Sequence, residues 1–334
     1  MPTRRRFLRL AGSAAAMAPV MVPVMVPLEA RRAWALDYPS RPVRIVVPFG
    51  PGGPTDIYAR LVGQRLSEKL GRQFFVENIT GGGGNIGALQ VARSAPDGHT
   101  LLFTVSAFVT NVAFHHGKVP YDPVKDFTAI ALPAASAMTI AVHPSLGVGT
   151  LADLITLARA NPGQYPYATG GAGSQPHLTF ERFRLSAGLD MTHVPYSGAG
   201  PAVAALVAGH VPVGISSLPP CVPHLEEGRL RGLVVTSRTR SQKVPGIPTA
   251  AEAAQPSLEG DQWIGALAPA GTPPDLVSLL HRSITGATAR PDIRERLDDI
   301  DIYAVDGTPG NFTARIGSEL EMWRRVVEEA NLAG

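Results

Sequence analysis

Val43-Arg44-Ile45-Val46-Val47-Pro48-Phe49-Gly50-Pro51-Gly52-Gly53-Pro54-Thr55-Asp56 is a β-branched apolar run that breaks into glycine and proline and ends on two residues suited to a helix start. An apolar run of this length, closed by turn residues, predicts a buried strand over residues 43–49 feeding a tight loop. Thr55 is placed as a helix N-cap, with Asp56 in the first turn, where the helix dipole favours an anion. Ile57, Leu61, Leu66 and Leu70 then mark one helical stripe, and Gly71 stands where a C-terminal stop belongs.

The unit repeats along the chain. A strand is expected over 73–77, a glycine loop over 81–84, a helix over 86–94 and a strand over 100–105. A second series follows residues 142–144. Thr150 caps a helix running to 160, and a short strand over 165–168 runs into the polar loop 169–174. Helices are expected over 176–187 and 201–208, with strands over 193–196, 211–216 and 232–236. A strand over 264–268 returns the chain to the first series, where helices over 274–288 and 309–329 pack. Such alternation predicts an α/β fold of two lobes, each a mostly parallel sheet flanked by helices. Lobe 1 takes residues 36–140 and 263–334, and lobe 2 takes 141–262. Two crossings, at about 139–144 and 262–268, serve as the hinge.

The N-terminal end sets the compartment. Thr3-Arg4-Arg5-Arg6-Phe7-Leu8-Arg9 has the form of a twin-arginine export signal. The apolar stretch that follows, residues 10–28, contains Pro19, Pro23 and Pro27. Each proline costs roughly 3 kcal/mol in a helix interior, which argues against a membrane-spanning helix. Ala33-Trp34-Ala35 supplies the small-x-small pattern of a cleavage site, so a leader over residues 1–35 and export to a periplasm are expected. Those residues hold six of the 30 basic side chains and one of the 27 acids, so the remaining 299 residues carry 24 bases and 26 acids, a net of −2. The basic character of the whole chain belongs to the leader and does not point to nucleic acid. One cysteine, Cys221, excludes an internal disulfide and a paired-cysteine zinc site.

In open α/β sheets, ligands sit at the carboxyl ends of strands, against helix N-termini. Two polar glycine loops have that placement, one per lobe, at 50–56 and 169–174. Their backbone N–H groups and helix dipoles favour an anion. Candidate ligand-binding residues are Gly53, Thr55, Asp56, Ser106, Thr169, Gly170, Ser174, Ser197, Gly198 and Ser216. Trp263 is added as a residue that either lines the cleft or packs the hinge. Gly82-x-Gly84-x-x-Gly87 matches a dinucleotide fingerprint, but the next strand, ending Phe103-Thr104-Val105-Ser106, lacks the acidic residue that reading needs. His115, His116, His177, His193 and His224 lack metal-pair spacing and are read as surface or hydrogen-bonding residues, and G-x-S-x-G is absent. No cofactor or metal is expected.

Tyr38-Pro39-Ser40-Arg41-Pro42, the run from Val46 to Asp56, Glu77-Asn78, Gly83-Gly84-Asn85-Ile86-Gly87 and Ala95-Pro96-Asp97-Gly98 resemble the Bug proteins, TctC-like extracytoplasmic solute receptors of tripartite tricarboxylate transporters. Pro120-Tyr121-Asp122-Pro123, Gly173-Ser174-Gln175-Pro176-His177-Leu178, His193-Val194-Pro195-Tyr196-Ser197-Gly198 and Pro248-Thr249-Ala250-Ala251-Glu252 extend the match in family order. The resemblance implies a type II-like periplasmic binding protein closing on a small carboxylate, without catalysis. It also implies delivery to membrane permease subunits or a sensor, by a monomer. Where the family commonly has a polar pair such as Asp-Asn, this chain has Ser216-Ser217, which favours a plain organic acid over an amino acid. The competing reading is an exported α/β enzyme with a bound cofactor, since twin-arginine substrates leave the cytoplasm folded.

Overall fold

The structure, a computed structural model, describes residues 38–332; the expected leader lies outside them. The opening run folds as β1 (Val43–Val47), pairing in parallel with β2 (Phe74–Asn78) and β3 (Thr100–Val105). Strand alternation divides its side chains. Val43, Ile45 and Val47 enter one core with Tyr58, Val62 and Leu66 of α1 (Pro54–Leu70), while Val46 enters the core on the opposite face. α2 (Asn85–Ala92) and α3 (Ala107–Phe114) cover that opposite face.

α1 differs in detail from the expected stripe. Its N-cap is Gly53, with Pro54 opening the helix, so Thr55 is a helical residue rather than the cap. Leu66 is buried as expected, but the rest of the buried face is Thr55, Asp56, Tyr58, Ala59, Val62 and Gly63. A Cβ on Gly63 would lie 3.2 Å from Ile45 Cδ1, so small residues let the helix settle close on the sheet. Counting large apolar residues misses such a face. Gly71 ends the helix at φ 72°, the left-handed stop expected of it.

The rest of the first sheet is antiparallel. β10 (Gln262–Pro269) lies between β3 and β4 (Phe127–Ser136), and β11 (Tyr303–Gly307) forms the edge, giving the order β11-β4-β10-β3-β1-β2. The second sheet runs β7-β6-β8-β5-β9, built from β5 (Met138–Val142), β6 (Tyr167–Thr169), β7 (His193–Pro195), β8 (Val213–Ser217) and β9 (Arg231–Val235). Its β6, β7 and β8 are parallel, while β5 runs antiparallel to β8 and β9. Both sheets are therefore mixed rather than mostly parallel. A strand that arrives directly from the other lobe has no crossover helix to reverse its direction.

The longest strand was not legible. β4 contains Pro133, which cannot donate to a ladder, and its register shifts against β10 and β11 on either side of that residue. β4 ends at Ser136 and β5 begins at Met138, so the chain passes between sheets at Ala137, ahead of the expected 139–144. The return falls just before β10.

α4 (Leu151–Ala160) starts on a reciprocal capping box between Thr150 and Asp153 and packs on the second sheet with α5 (Gln175–Ala187). α6 (Ala199–Val207) covers the other face, near the short α7 (Val222–Glu226). α8 (Pro274–Thr288) and α9 (Pro291–Asp299) join α1 on the first sheet, and α10 (Pro309–Glu329) joins α3. Among the described residues, no helix is long and apolar enough to cross a membrane.

Candidate ligand-binding site

The segment that follows β3 touches the segment that follows β6. Ser106, directly after β3, donates its hydroxyl proton to the side-chain carbonyl of Gln175, the first residue of α5. The Gln175 amide donates to the Asp261 carbonyl at 2.9 Å, tying this contact to the return crossing. Gly173 stands so near Phe114 of α3 that a Cβ would lie 2.6 Å from its Cδ1. The loops after β3 and β6 thus meet.

On the first sheet, Asp56 builds the loop. Its carboxylate accepts from the Gly52 N–H, Arg60 Nε and Asn78 Nδ2, each at 2.9 Å, and Asn78 Nδ2 also donates to the Phe49 carbonyl. Burial alone would raise the Asp56 pKa, but the hydrogen bonds from Arg60, Gly52 and Asn78, with the Arg60 charge, hold it below the usual carboxylate range. This acid is consumed within its own lobe. α1 starts at Gly53 without a side-chain cap, so its leading N–H groups have no side-chain acceptor. A Cβ on Gly50 or Gly52 would meet nothing within 4 Å, so the backbone there borders open space. Thr55, 5% exposed, lies in the first turn of α1 beside its leading amides.

The second sheet divides its hydroxyls differently. Thr169 is fully buried, and its hydroxyl bonds the Gly171 backbone and His193 Nε2. Ser174 caps α5 and donates to the Gly171 carbonyl at 2.7 Å. Both work inside the loop. Gly170, Ser197 and Gly198 come together at the start of α6: a Cβ on Gly170 would lie 2.9 Å from both Gly198 C and Ala199 N. Gly198, at φ 127°, opens α6 without a side-chain cap, and Ser197 is exposed. Gly53 and Gly198 therefore each open a helix without a side-chain cap, whereas at the third such glycine start, Gly84 before α2, the first amides bond the Gly81 and Gly82 carbonyls.

The remaining candidates lie elsewhere. Ser106 is fully buried in the joint between lobes. Trp263 is fully buried, donates from Nε1 to Glu319 Oε2 at 2.8 Å and meets the Phe312 ring edge-on, so it packs the core beside the return crossing. Ser216 is buried beneath α6 beside Ala168, Ala202 and Cys221, with no partner for its hydroxyl among the described residues. Sequence reasoning missed Arg60, one helical turn after Asp56, Asn78 at the end of the neighbouring strand β2, and Gln175, which only the meeting of the two lobes brings to Ser106. It noted His177 and His193, but left them as unspecified hydrogen-bonding or surface residues.

Residues 58–332 match the model of the tripartite tricarboxylate transporter family receptor. This chain belongs to that family. It is 35% identical over 293 residues to the protein BugT of Bordetella pertussis, a match spanning 87% of this chain and 90% of BugT. An R. palustris protein solved with adipate superposes with a TM-score of 0.77 at 35% identity, covering 89% of this chain and 99% of that one. MatC from Rhodopseudomonas palustris, solved with bound malate, gives 0.73 at 33% identity, covering 87% and 100%. The α/β, two-lobed binding-protein fold and the role of solute receptor follow for this chain.

Proposed function

We propose that this receptor works in the periplasm, captures a small mono- or dicarboxylate lacking an amino group, and presents it as a monomer to permease subunits in the membrane. The observation that carries the reading is the pair of helix starts, at Gly53 and Gly198, that lack side-chain caps and are flanked by glycines. Free N–H groups and the positive end of each dipole recognise a carboxylate without a formal counter-charge. Two relatives solved with adipate and malate support the same ligand class. Burial pushes the Cys221 thiol up to about 12 and the His177 and His193 imidazoles down to about 4 and about 3.

Succinate against aspartate is the direct test, because they differ by one ammonium group. Burying that ammonium needs an anionic partner, and Asp56 is already held by Arg60. Calorimetric titration should find succinate the tighter ligand. Tighter binding of aspartate would refute the charge argument, and failure of every small carboxylate to bind would refute the ligand class.

A further inference from the structure

Two histidines lie behind the second-sheet loop. His177 on α5 is 2% exposed, and His193 stacks on it from β7 with ring centroids 3.8 Å apart and planes at 19°. Tyr167 of β6 continues the stack, 5.1 Å from His193, and Phe114 of α3 meets His177 edge-on at 6.0 Å. Both rings reach the loop. His177 Nδ1 accepts the Gly173 N–H at 3.1 Å, and His193 Nε2 bonds Thr169 Oγ1 at 2.7 Å, the same oxygen that accepts the Gly171 N–H.

We propose that His177 and His193 are positioning residues for ligand binding, a stacked neutral pair that holds the loop 169–174 in the shape that sets Gly170 against the start of α6. The proposal rests on the reading of that loop as part of the ligand site. Acceptance at Nδ1 fixes the His177 proton on Nε2 and requires an uncharged ring. A proton on Nδ1 would abolish the bond to Gly173 and set a cation against a stacked neighbour. The charged and titratable groups facing the pair are Glu181 and Arg184 of α5, Tyr167 of β6 and the two rings themselves; α3 contributes only the Phe114 ring. Glu181 is bound by Arg184 at 2.6 Å and by the Tyr167 hydroxyl at 2.5 Å, and its pull toward an imidazolium at His193 is outweighed by burial and by the neighbouring His177 ring. Burial dominates, and both rings titrate far below the ordinary histidine range.

The test separates shape from chemistry. His177→Asn puts an amide oxygen where Nδ1 stands, and His193→Gln puts a polar atom where Nε2 stands, whereas His177→Leu and His193→Leu offer neither. Two readouts are taken on the whole protein: hydrogen exchange of the amides in 169–176 without ligand, and calorimetric affinity for malate and adipate. The leucine variants should exchange at least tenfold faster in this segment and bind at least tenfold more weakly, while His177→Asn and His193→Gln stay within about threefold of the parent. Leucine variants with unchanged exchange would overturn the proposal. So would amide and leucine variants that lose affinity equally, which is the signature of packing alone. A parent protein that binds neither acid would refute the ligand class instead, and the exchange readout would still decide whether the pair holds the loop.

Discussion

The two loops proposed to hold the ligand are built by opposite means. The first-sheet loop is organised by charge: a buried carboxylate, Asp56, gathers Gly52, Arg60 and Asn78 from within 22 residues of itself. The second-sheet loop is organised by neutral groups, an imidazole pair and two hydroxyls, and it is wedged against Phe114 of the other lobe. One loop is fixed locally and borders open space. The other is fixed by packing between lobes. This division would suit a receptor whose lobes close on a ligand, because one jaw, the proposed first-sheet loop, keeps its shape whatever the other does.

The largest expected effect breaks the charged jaw. Asp56→Ala removes three hydrogen bonds to a buried carboxylate, and bonds to charged groups contribute about 1.5–3 kcal/mol each. Arg60 is half exposed, so its share is reduced by solvent. Unfolding in denaturant should show a loss of about 3–4 kcal/mol. A loss below about 1 kcal/mol would mean that the loop does not depend on the acid.

Acid should then separate the jaws. The folded pKa of His177, about 4, lies below its ordinary 6.5, so the unfolded chain binds the proton more readily. Stability falls as pH drops below about 6.5 and stops falling near 4, by on the order of 3 kcal/mol for this residue. Asp56 behaves differently: its folded pKa is depressed, so its contribution is intact above the ordinary 3.8 and is lost only as pH falls through the lower folded value. Hydrogen exchange at pH 5 should show the segment 169–176 loosening while 50–56 stays protected. The reverse order would contradict the assignment of neutral and charged supports.

Gly173→Ala tests the wedge. The residue sits at φ 72° and its Cβ would press on Phe114, so strain and overpacking together should cost about 2–3 kcal/mol, read as a lowered melting temperature. An unchanged melting temperature would show that the lobes part freely at this point. The smallest effect is expected at Thr55. Because Gly53 is the cap, Thr55→Ala should leave stability nearly untouched and weaken carboxylate binding by about 1.5 kcal/mol, the lower range for a hydrogen bond to a charged group. Unchanged affinity by calorimetry would move the contact to the backbone amides alone.

Much of this architecture was legible in the chain. The run Val43-Arg44-Ile45-Val46-Val47 declares β1, Thr150 with Asp153 declares the start of α4, and the helices over 274–288 and 309–329 stand where their periodicity places them. These are local signals: β-branching, a side chain three residues from its backbone partner, a stripe of 3.6 period. The glycine loops were legible for the same reason, since a turn at φ 80° restricts the residue at that position whatever surrounds it.

Tertiary structure decided everything that depends on partners far apart in the chain. β4, with Pro133 in its middle, is a strand only because β10 and β11 shift register around it. Ser106 looks like a ligand hydroxyl in sequence, yet Gln175, 69 residues on, claims it. Trp263 is turned into the core by Glu319 and Phe312, and His177 becomes a loop support only because His193 stacks on it. The sequence alone determined β1, the glycine turns and the helices with a clear cap or stripe, because those choices are settled within a few residues by backbone sterics and periodicity. Which hydroxyls and imidazoles remain free for a ligand was decided by the fold, because a polar side chain bonds whatever donor or acceptor packing brings within about 3 Å of it.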